Sequence, residues 1–190
     1  GDKLPYKSSS VVRGVGNAGN AATCAARLGF FSALLSITGS DDDGQKIFDH
    51  FAKEHVSQMF MKKDAALPTN NAYVLKYGAE RTILVKQEAY PYTVPVELLN
   101  QNKPKWIYLT SIGKSTIQFH HDLIQWLTEN PDVKLAFQPG TFQMILGKDE
   151  LADVYRRSDV FFCNKEEARW ILNLPDADFP ELHTALHALG

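Results

Sequence analysis

The chain has 190 residues, of which 44% are hydrophobic and 22% are charged, as is usual for a globular domain. Its 20 basic and 22 acidic residues give a net charge of −2, so no basic surface favours nucleic acid or a membrane. The longest apolar runs are shorter than the roughly 18 residues that span a bilayer, and residues 1–10 lack the apolar core of a signal peptide. We therefore expect a cytoplasmic protein without nucleic acid or membrane partners, in which Cys24 and Cys163 are reduced core thiols.

The first part of the chain alternates predicted helices and strands. An alanine-rich stretch that ends before Gly29 predicts a helix, and the short apolar runs that follow predict strands. One of the aspartates 41–43 can cap the helix that comes after them. The predicted elements are a helix over 20–28, a strand over 31–37, a helix over 44–54 and a strand over 56–61.

The stretch 71–87 differs from its surroundings. Residues 72–77 and 82–86 are β-branched and aromatic runs separated by a Gly-Ala-Glu-Arg turn, which predicts a β-hairpin. A two-stranded ribbon is barely stable alone in water, so we expect this hairpin to lie on another part of the protein.

The second part returns to alternation. The predicted elements are a helix over 96–100, a strand over 106–110, a helix over 117–129, a strand over 133–137, a helix over 150–157, a strand over 159–163, a helix over 165–172 and a C-terminal helix. Short strands alternating with helices favour an α/β fold with a largely parallel sheet, in which the hairpin is an insertion.

The glycine-rich stretch 14–19 has two interpretations. Its letters match the dinucleotide fingerprint G-x-G-x-x-G, and Asp41 follows Gly19 at about the distance expected for a ribose-binding carboxylate. This match predicts an NAD(P)-dependent oxidoreductase with a Rossmann glycine loop. The fingerprint also needs a buried strand before Gly14, and residues 8–13 supply only two apolar side chains.

A longer pattern supports the second interpretation. Gly16 and Asn20 open a small-residue helix that ends in Ala-Arg-Leu-Gly, and Gly39–Gly44 reads G-x-D-x-x-G. This pattern resembles the first signature of the ribokinase/PfkB family of carbohydrate kinases. It departs from the family at Val15, where the first glycine of a pair is expected.

Two further stretches carry the same resemblance. Gly78-Ala79-Glu80-Arg81-Thr82 resembles the G-E-R-T motif of the family's substrate lid, and Asn164 with Glu167 resembles its N-x-x-E motif. The resemblance implies a three-layer α/β/α ribokinase-like core with a largely parallel sheet and a small β-hairpin lid. Residues 1–190 would be a partial kinase domain, with the lid at about 69–88.

The resemblance also implies the function and its residues. An ATP-dependent kinase would phosphorylate a hydroxyl of a sugar or nucleoside, with Gly16, Asn17 and Asn20 in the substrate site. Asn164 and Glu167 would be associated with Mg²⁺ and phosphate. Asn20 can alternatively be a plain helix N-cap, and Asn164 with Glu167 can form a capping box, which does not exclude the magnesium role.

The family's catalytic base is the aspartate of a G-A-G-D motif, which does not occur in these 190 residues. We therefore expect a truncated fragment, cut on both sides and inactive alone, that can form a homodimer through the lid. A non-catalytic sugar-binding or dimerising domain is the remaining alternative. The histidines at 120, 121, 183 and 187 are interpreted as solvated helix-face residues.

Overall fold

Strands alternate with helices, as the sequence predicts, in residues 5–113 and 115–190, which this computed structural model describes. The helices are α1 (Asn17–Arg27), α2 (Asp42–Lys53), α3 (Val96–Gln101), α4 (Ile117–Glu129), α5 (Thr141–Leu146), α6 (Ala152–Arg157), α7 (Lys165–Leu172) and α8 (Phe179–His187). The strands are β1 (Ser36–Gly39), β2 (Met61–Asp64), β3 (Asn71–Tyr77), β4 (Glu80–Lys86), β5 (Trp106–Leu109), β6 (Lys134–Phe137) and β7 (Val160–Phe161).

The parallel strands of the described residues form two sheets. Strand β1 pairs with β2, and β5, β6 and β7 pair in that order. Strands β3 and β4 form a separate antiparallel hairpin, with Asn71 opposite Lys86 and Tyr77 opposite Glu80. The hairpin is therefore an insertion between two parallel α/β units, and the α/β prediction is confirmed.

Each parallel sheet has its own apolar core. The larger core lies between β5–β7 and helices α3 to α7, and Leu127, Val133, Leu135 and Phe137 are inaccessible to solvent in it. The smaller core, around Phe51, joins α1 and α2 to Leu34 before β1 and to Met61 of β2. Leu35 and Phe60 from the first unit pack against the larger core, so the two units share an apolar contact.

Two predicted strands lie later in the chain than expected. The run 31–37 does not form one strand, since Phe31 is 85% exposed and pairing in β1 starts at Ser36. Strand β2 starts at Met61, where the predicted strand 56–61 ends. Only an isolated bridge between Ala33 and Ser57 precedes this pairing. The apolar runs 31–37 and 56–61 therefore lie mostly before the strands. Regular pairing of β1 with β2 begins only at Ser36 and Met61.

Two predictions about burial were wrong. Cys24 is an exposed free thiol on α1, whereas Cys163 is partly buried against the larger core and against the apolar contact between α7 and α8. His120, expected on a solvated face, is fully buried, while His121 beside it is exposed. Helical periodicity brings residue 120 onto the same face as Phe119 and Leu123, which pack on the sheet.

Across the described ranges, every helix is too short or too polar to cross a bilayer.

Candidate functional site

Polar residues and glycines of both units lie just beyond the carboxyl ends of parallel strands. In open α/β folds this edge is where ligands bind. Asp41 follows β1, Gly140 follows β6 and Asn164 follows β7. The hairpin joins the two units at this edge, because Thr69 at its base contacts Gly39 and Gln87 lies beside Gly113 after β5.

The three glycines of the loop 14–19 have different roles. Gly14 has φ +63°, and a Cβ there would meet the rings of His50 and Phe51 at 2.7 and 2.8 Å. A Cβ on Gly19 would lie 2.2 Å from the carbonyl oxygen of Gly14. Gly16 has φ +119° and open space where its Cβ would be. Gly14 and Gly19 therefore pack the loop onto α2, whereas no other atom lies within 4 Å of the position that a Cβ on Gly16 would take.

Helix α1 begins directly after Gly16. Its N-cap is Gly16, which has no side chain to bond the free backbone N–H groups of the first turn. Asn17 and Asn20 lie in that turn and are exposed. Asn20 is thus inside the helix, where its N–H bonds the Gly16 carbonyl at 2.9 Å. The alternative of Asn20 as the N-cap is wrong, and its side-chain amide is left to face solvent.

The dinucleotide interpretation lacks its structural context. Residues 5–13 form no strand, and Val11 and Val12 are 76% and 69% exposed. Arg13 instead pairs with Asp43 at 2.9 Å, which ties the segment before the loop to the first turn of α2. A Rossmann loop requires a buried strand leading into its first glycine, so the structure does not favour this interpretation.

Asp41 joins three segments at the edge of the first unit. One oxygen of its carboxylate, Oδ1, accepts hydrogen bonds from the Gly44 amide at 2.8 Å and the Thr69 hydroxyl at 2.5 Å. The other oxygen, Oδ2, accepts from the Thr69 amide at 2.8 Å. Hydrogen bonds from Thr69 and Gly44 lower the pKa of Asp41 to about 2. Asp41 is thus the N-cap of α2 and also the anchor of the hairpin.

The hairpin is held at its base on both sides. The amide of Glu88 donates to Asn70 Oδ1 at 2.6 Å, and the hydroxyl of Tyr90 donates to the Pro68 carbonyl at 2.7 Å. Burial is the main cause that raises the pKa of Tyr90 to about 12. The base is therefore fixed to the core beside the carboxyl end of β1.

Beyond its base, the hairpin is exposed on both faces. Apolar side chains occur on each: Tyr73, Leu75 and Leu84 on one face, and Val74, Ile83 and Val85 on the other. All residues of β3 and β4 are exposed. The expectation that the hairpin lies on another part of the protein is thus not met within the described residues.

Asn164 and Glu167 form the capping box of α7. The amide of Glu167 donates to Asn164 Oδ1 at 2.8 Å, and the amide of Asn164 donates to Glu167 Oε2 at 2.9 Å. Glu167 Oε1 takes no part in this pair; Asn164 is exposed and Glu167 is partly buried. Such a carboxylate suits Mg²⁺ that keeps its waters. The described residues contain no group of three or more side chains that could hold a metal directly.

A buried polar network, which the sequence did not reveal, braces the edge of the second unit. The side-chain amide nitrogen of Gln143 lies 3.0 Å from His120 Nε2 and donates to the Thr110 carbonyl at 3.2 Å. Gln143 Oε1 accepts from the Gly140 amide at 2.7 Å. The network fixes the loops after β5 and β6. Helix α5, which carries Gln143, was not predicted.

Comparison with known proteins identifies the family. The family model described as "pfkB family carbohydrate kinase" matches residues 2–190. The chain therefore belongs to the pfkB family of carbohydrate kinases, and the recognition made on the sequence motifs is confirmed.

Individual relatives agree with this assignment. Aminoimidazole riboside kinase of Salmonella typhimurium is 33% identical over 116 residues, which are 59% of this chain and 36% of that protein. The PfkB protein of Polaromonas sp. JS666 has the same fold with a TM-score of 0.75 and 16% identity, over 90% of this chain and 62% of that one. Halothermothrix orenii fructokinase gives a TM-score of 0.71 and 20% identity, over 90% and 65%. The aligned part of the chain spans about a third of the length of the Salmonella enzyme.

Proposed function

We propose that this chain supplies the acceptor side of an ATP-dependent kinase that phosphorylates a hydroxyl of a sugar or nucleoside. The observation that carries the proposal is the open space at Gly16, bordered by exposed Asn17 and Asn20. Membership of the pfkB family and the names of its relatives, aminoimidazole riboside kinase and fructokinase, support this class of substrate.

Asn17 and Asn20 would bind the hydroxyls of the substrate. Each side-chain amide offers a donor and an acceptor, which suits neighbouring hydroxyls. The free N–H groups at the start of α1 add donors close to Gly16. An α-helix N-terminus also carries partial positive charge, which favours the electron-rich oxygens of a sugar.

The hairpin would be the lid over this site, from about residue 69 to residue 88. Phosphoryl transfer requires that water be kept from the reacting phosphate. The base of the hairpin is held by Asp41 at the N-cap of α2, and the Arg13–Asp43 ion pair ties the segment before the glycine loop to the first turn of the same helix. We propose that one apolar face of the hairpin covers a sugar bound at this loop. Water exclusion would be the contribution of this element.

Glu167 would hold a hydrated Mg²⁺ near the phosphates of ATP. Its Oε1 atom is outside the capping box and can accept hydrogen bonds from the waters of the ion. When bound, Mg²⁺ would neutralise phosphate charge during transfer. The 190 residues contain no G-A-G-D stretch, so we propose none of them as the catalytic base.

A binding experiment tests the acceptor site. Thermal unfolding of the chain would be measured with fructose, ribose, adenosine and NAD, because a ligand at 100 times its Kd stabilises the folded state by about 2.7 kcal/mol. We expect stabilisation by a sugar or nucleoside, lost in Asn20→Ala and retained in the control Gln101→Ala, an exposed amide on α3. Stabilisation by NAD alone would contradict the proposal.

We further propose that the second face of the hairpin is a homodimer contact. A two-stranded ribbon with apolar side chains on both faces is unstable in water, so a lid that covers substrate with one face still needs a partner for the other. Light scattering after gel filtration should show a dimer that Val74→Lys weakens, with Lys76→Ala on the same face as a control. A wild-type chain that stays monomeric at high concentration would refute this contact.

A further inference from the structure

The C-terminal helix carries two histidines whose rings are in contact. His183 and His187 are one turn apart on α8, and their ring centroids are 4.6 Å apart with an interplanar angle of 69°. Both residues are exposed, and no hydrogen bond within the described residues occupies their ring nitrogens. The ring of Phe179 stacks on His183 from the preceding turn, at a centroid distance of 6.3 Å.

We propose that His183 and His187 form a surface site for a divalent transition metal such as Ni²⁺ or Zn²⁺. Residues four apart on a helix face the same side, and two imidazoles in that arrangement can chelate one ion. Metal–nitrogen bonds of about 2.0 to 2.1 Å bring the two nitrogens to about 3.3 Å from each other in a tetrahedral site. Rings that already touch need only side-chain rotation to reach this geometry, and water completes the coordination.

The position of the pair on the helix favours a cation. His187 lies in the last turn of α8, where the unpaired carbonyl groups give the helix end partial negative charge. The remaining ring contact, with Phe179, supports His183 from the side away from His187. The two imidazoles therefore already lie on one face of α8, where a metal ion can bind both.

This site differs from the proposed magnesium site in its chemistry. Imidazole nitrogen suits Ni²⁺, Cu²⁺ and Zn²⁺, whereas Mg²⁺ prefers oxygen ligands. Excess Mg²⁺ should therefore leave Ni²⁺ binding at α8 unchanged. If the test of one metal site gives a negative result, the proposal for the other site is unaffected.

Calorimetric titration with Ni²⁺ tests the proposal on the untagged chain. Cys24→Ser would serve as the background, because the exposed thiol of Cys24 is a competing soft ligand. We expect about one Ni²⁺ per chain, with affinity reduced tenfold or more in His183→Gln and in His187→Gln, since each leaves a single imidazole. Circular dichroism would confirm that the variants fold.

His121→Gln is the matched control. His121 is also exposed on a helix, but the residues four positions away, Ile117 and Gln125, are not metal ligands. The His121→Gln variant should bind Ni²⁺ with the same affinity as the Cys24→Ser background. Absence of saturable binding, or a loss of less than tenfold in either α8 variant, would overturn the proposal.

Discussion

At the scale of single residues, His120 is the most informative. Its Nδ1 lies 2.7 Å from the Thr116 carbonyl, which can only accept a hydrogen bond, so Nδ1 carries the proton. Its Nε2 then accepts from the side-chain amide of Gln143 at 3.0 Å. The ring is thus neutral in the folded state, and burial lowers the pKa of His120 below its ordinary value near 6.5.

This lowered pKa predicts a loss of stability in mild acid. The unfolded chain binds a proton to this residue at a higher pH than the folded chain, so its contribution to stability is complete above about pH 6.5 and falls as the pH drops. The loss can reach about 1.4 kcal/mol per pH unit below that point. Urea unfolding at pH 7.5 and 5.5 should show a smaller difference in His120→Gln than in the wild type.

The exposed amide Gln101 on α3 provides the control. Gln101→Ala should keep the pH dependence of the wild type, because neither side chain titrates. A wild type whose unfolding free energy is the same at both pH values would contradict the assignment of a neutral His120.

Thr69 predicts a second residue-scale effect. Its hydroxyl accepts from the Gly39 amide at 3.0 Å and donates to Asp41, and Thr69 is almost fully buried. Thr69→Val keeps the shape but leaves the buried Gly39 amide without its acceptor and removes one of the three hydrogen bonds to Asp41, which should lower the free energy of unfolding by about 1 to 3 kcal/mol. Thr69→Ser keeps the hydroxyl and should lose less than about 1 kcal/mol. If urea unfolding showed the same loss of unfolding free energy in Thr69→Val and Thr69→Ser, the hydrogen-bond explanation would be ruled out.

At the scale of elements, the stability that the Asn164 cap gives to α7 can be measured separately from the proposed association of Asn164 with Mg²⁺. Asn164→Ala removes the side-chain cap and should cost about 0.5 to 2 kcal/mol, whereas Asn164→Ser retains an acceptor at the N-cap. Urea unfolding without Mg²⁺ measures the cap alone. Indistinguishable stabilities of the two variants would mean that the capping box adds little to the fold.

The elements also show which features a sequence can reveal. The bounds of α4 and α7 were predicted residue for residue, because apolar periodicity and a capping box are local signals. Strand β1 was misplaced because its register depends on β2, which lies about 25 residues further along the chain. The motif that contains Gly16 and Asn20 was also recognised in the sequence, because its residues are close together along the chain. The contact of Asp41 with Thr69 joins residues 28 positions apart, so no local pattern predicts it.

At the scale of the whole molecule, the two parallel units differ in the size of their cores. The core around Leu127, Leu135 and Phe137 draws on five helices and three strands, whereas the core around Phe51 draws on two helices, strand β2 and the segments just before β1 and β2. Opening a unit exposes its buried apolar surface, so the smaller core should open at a lower free energy. The candidate substrate loop therefore belongs to the less stable unit, and binding there should be coupled to local ordering.

Native-state hydrogen exchange can test this difference. We expect backbone amides of β6 to exchange at least about tenfold more slowly than those of β1, which corresponds to about 1.4 kcal/mol. Phe51→Ala removes a ring that is 2% exposed and should cost about 3 to 5 kcal/mol, mainly in the protection of α1, α2 and β1. Leu135→Ala, in the larger core, is the matched change and should lower protection in β5, β6 and β7. If Phe51→Ala lowered protection equally in β1 and β6, the two units would unfold as one, and the glycine loop would be as stable as the core of the second sheet.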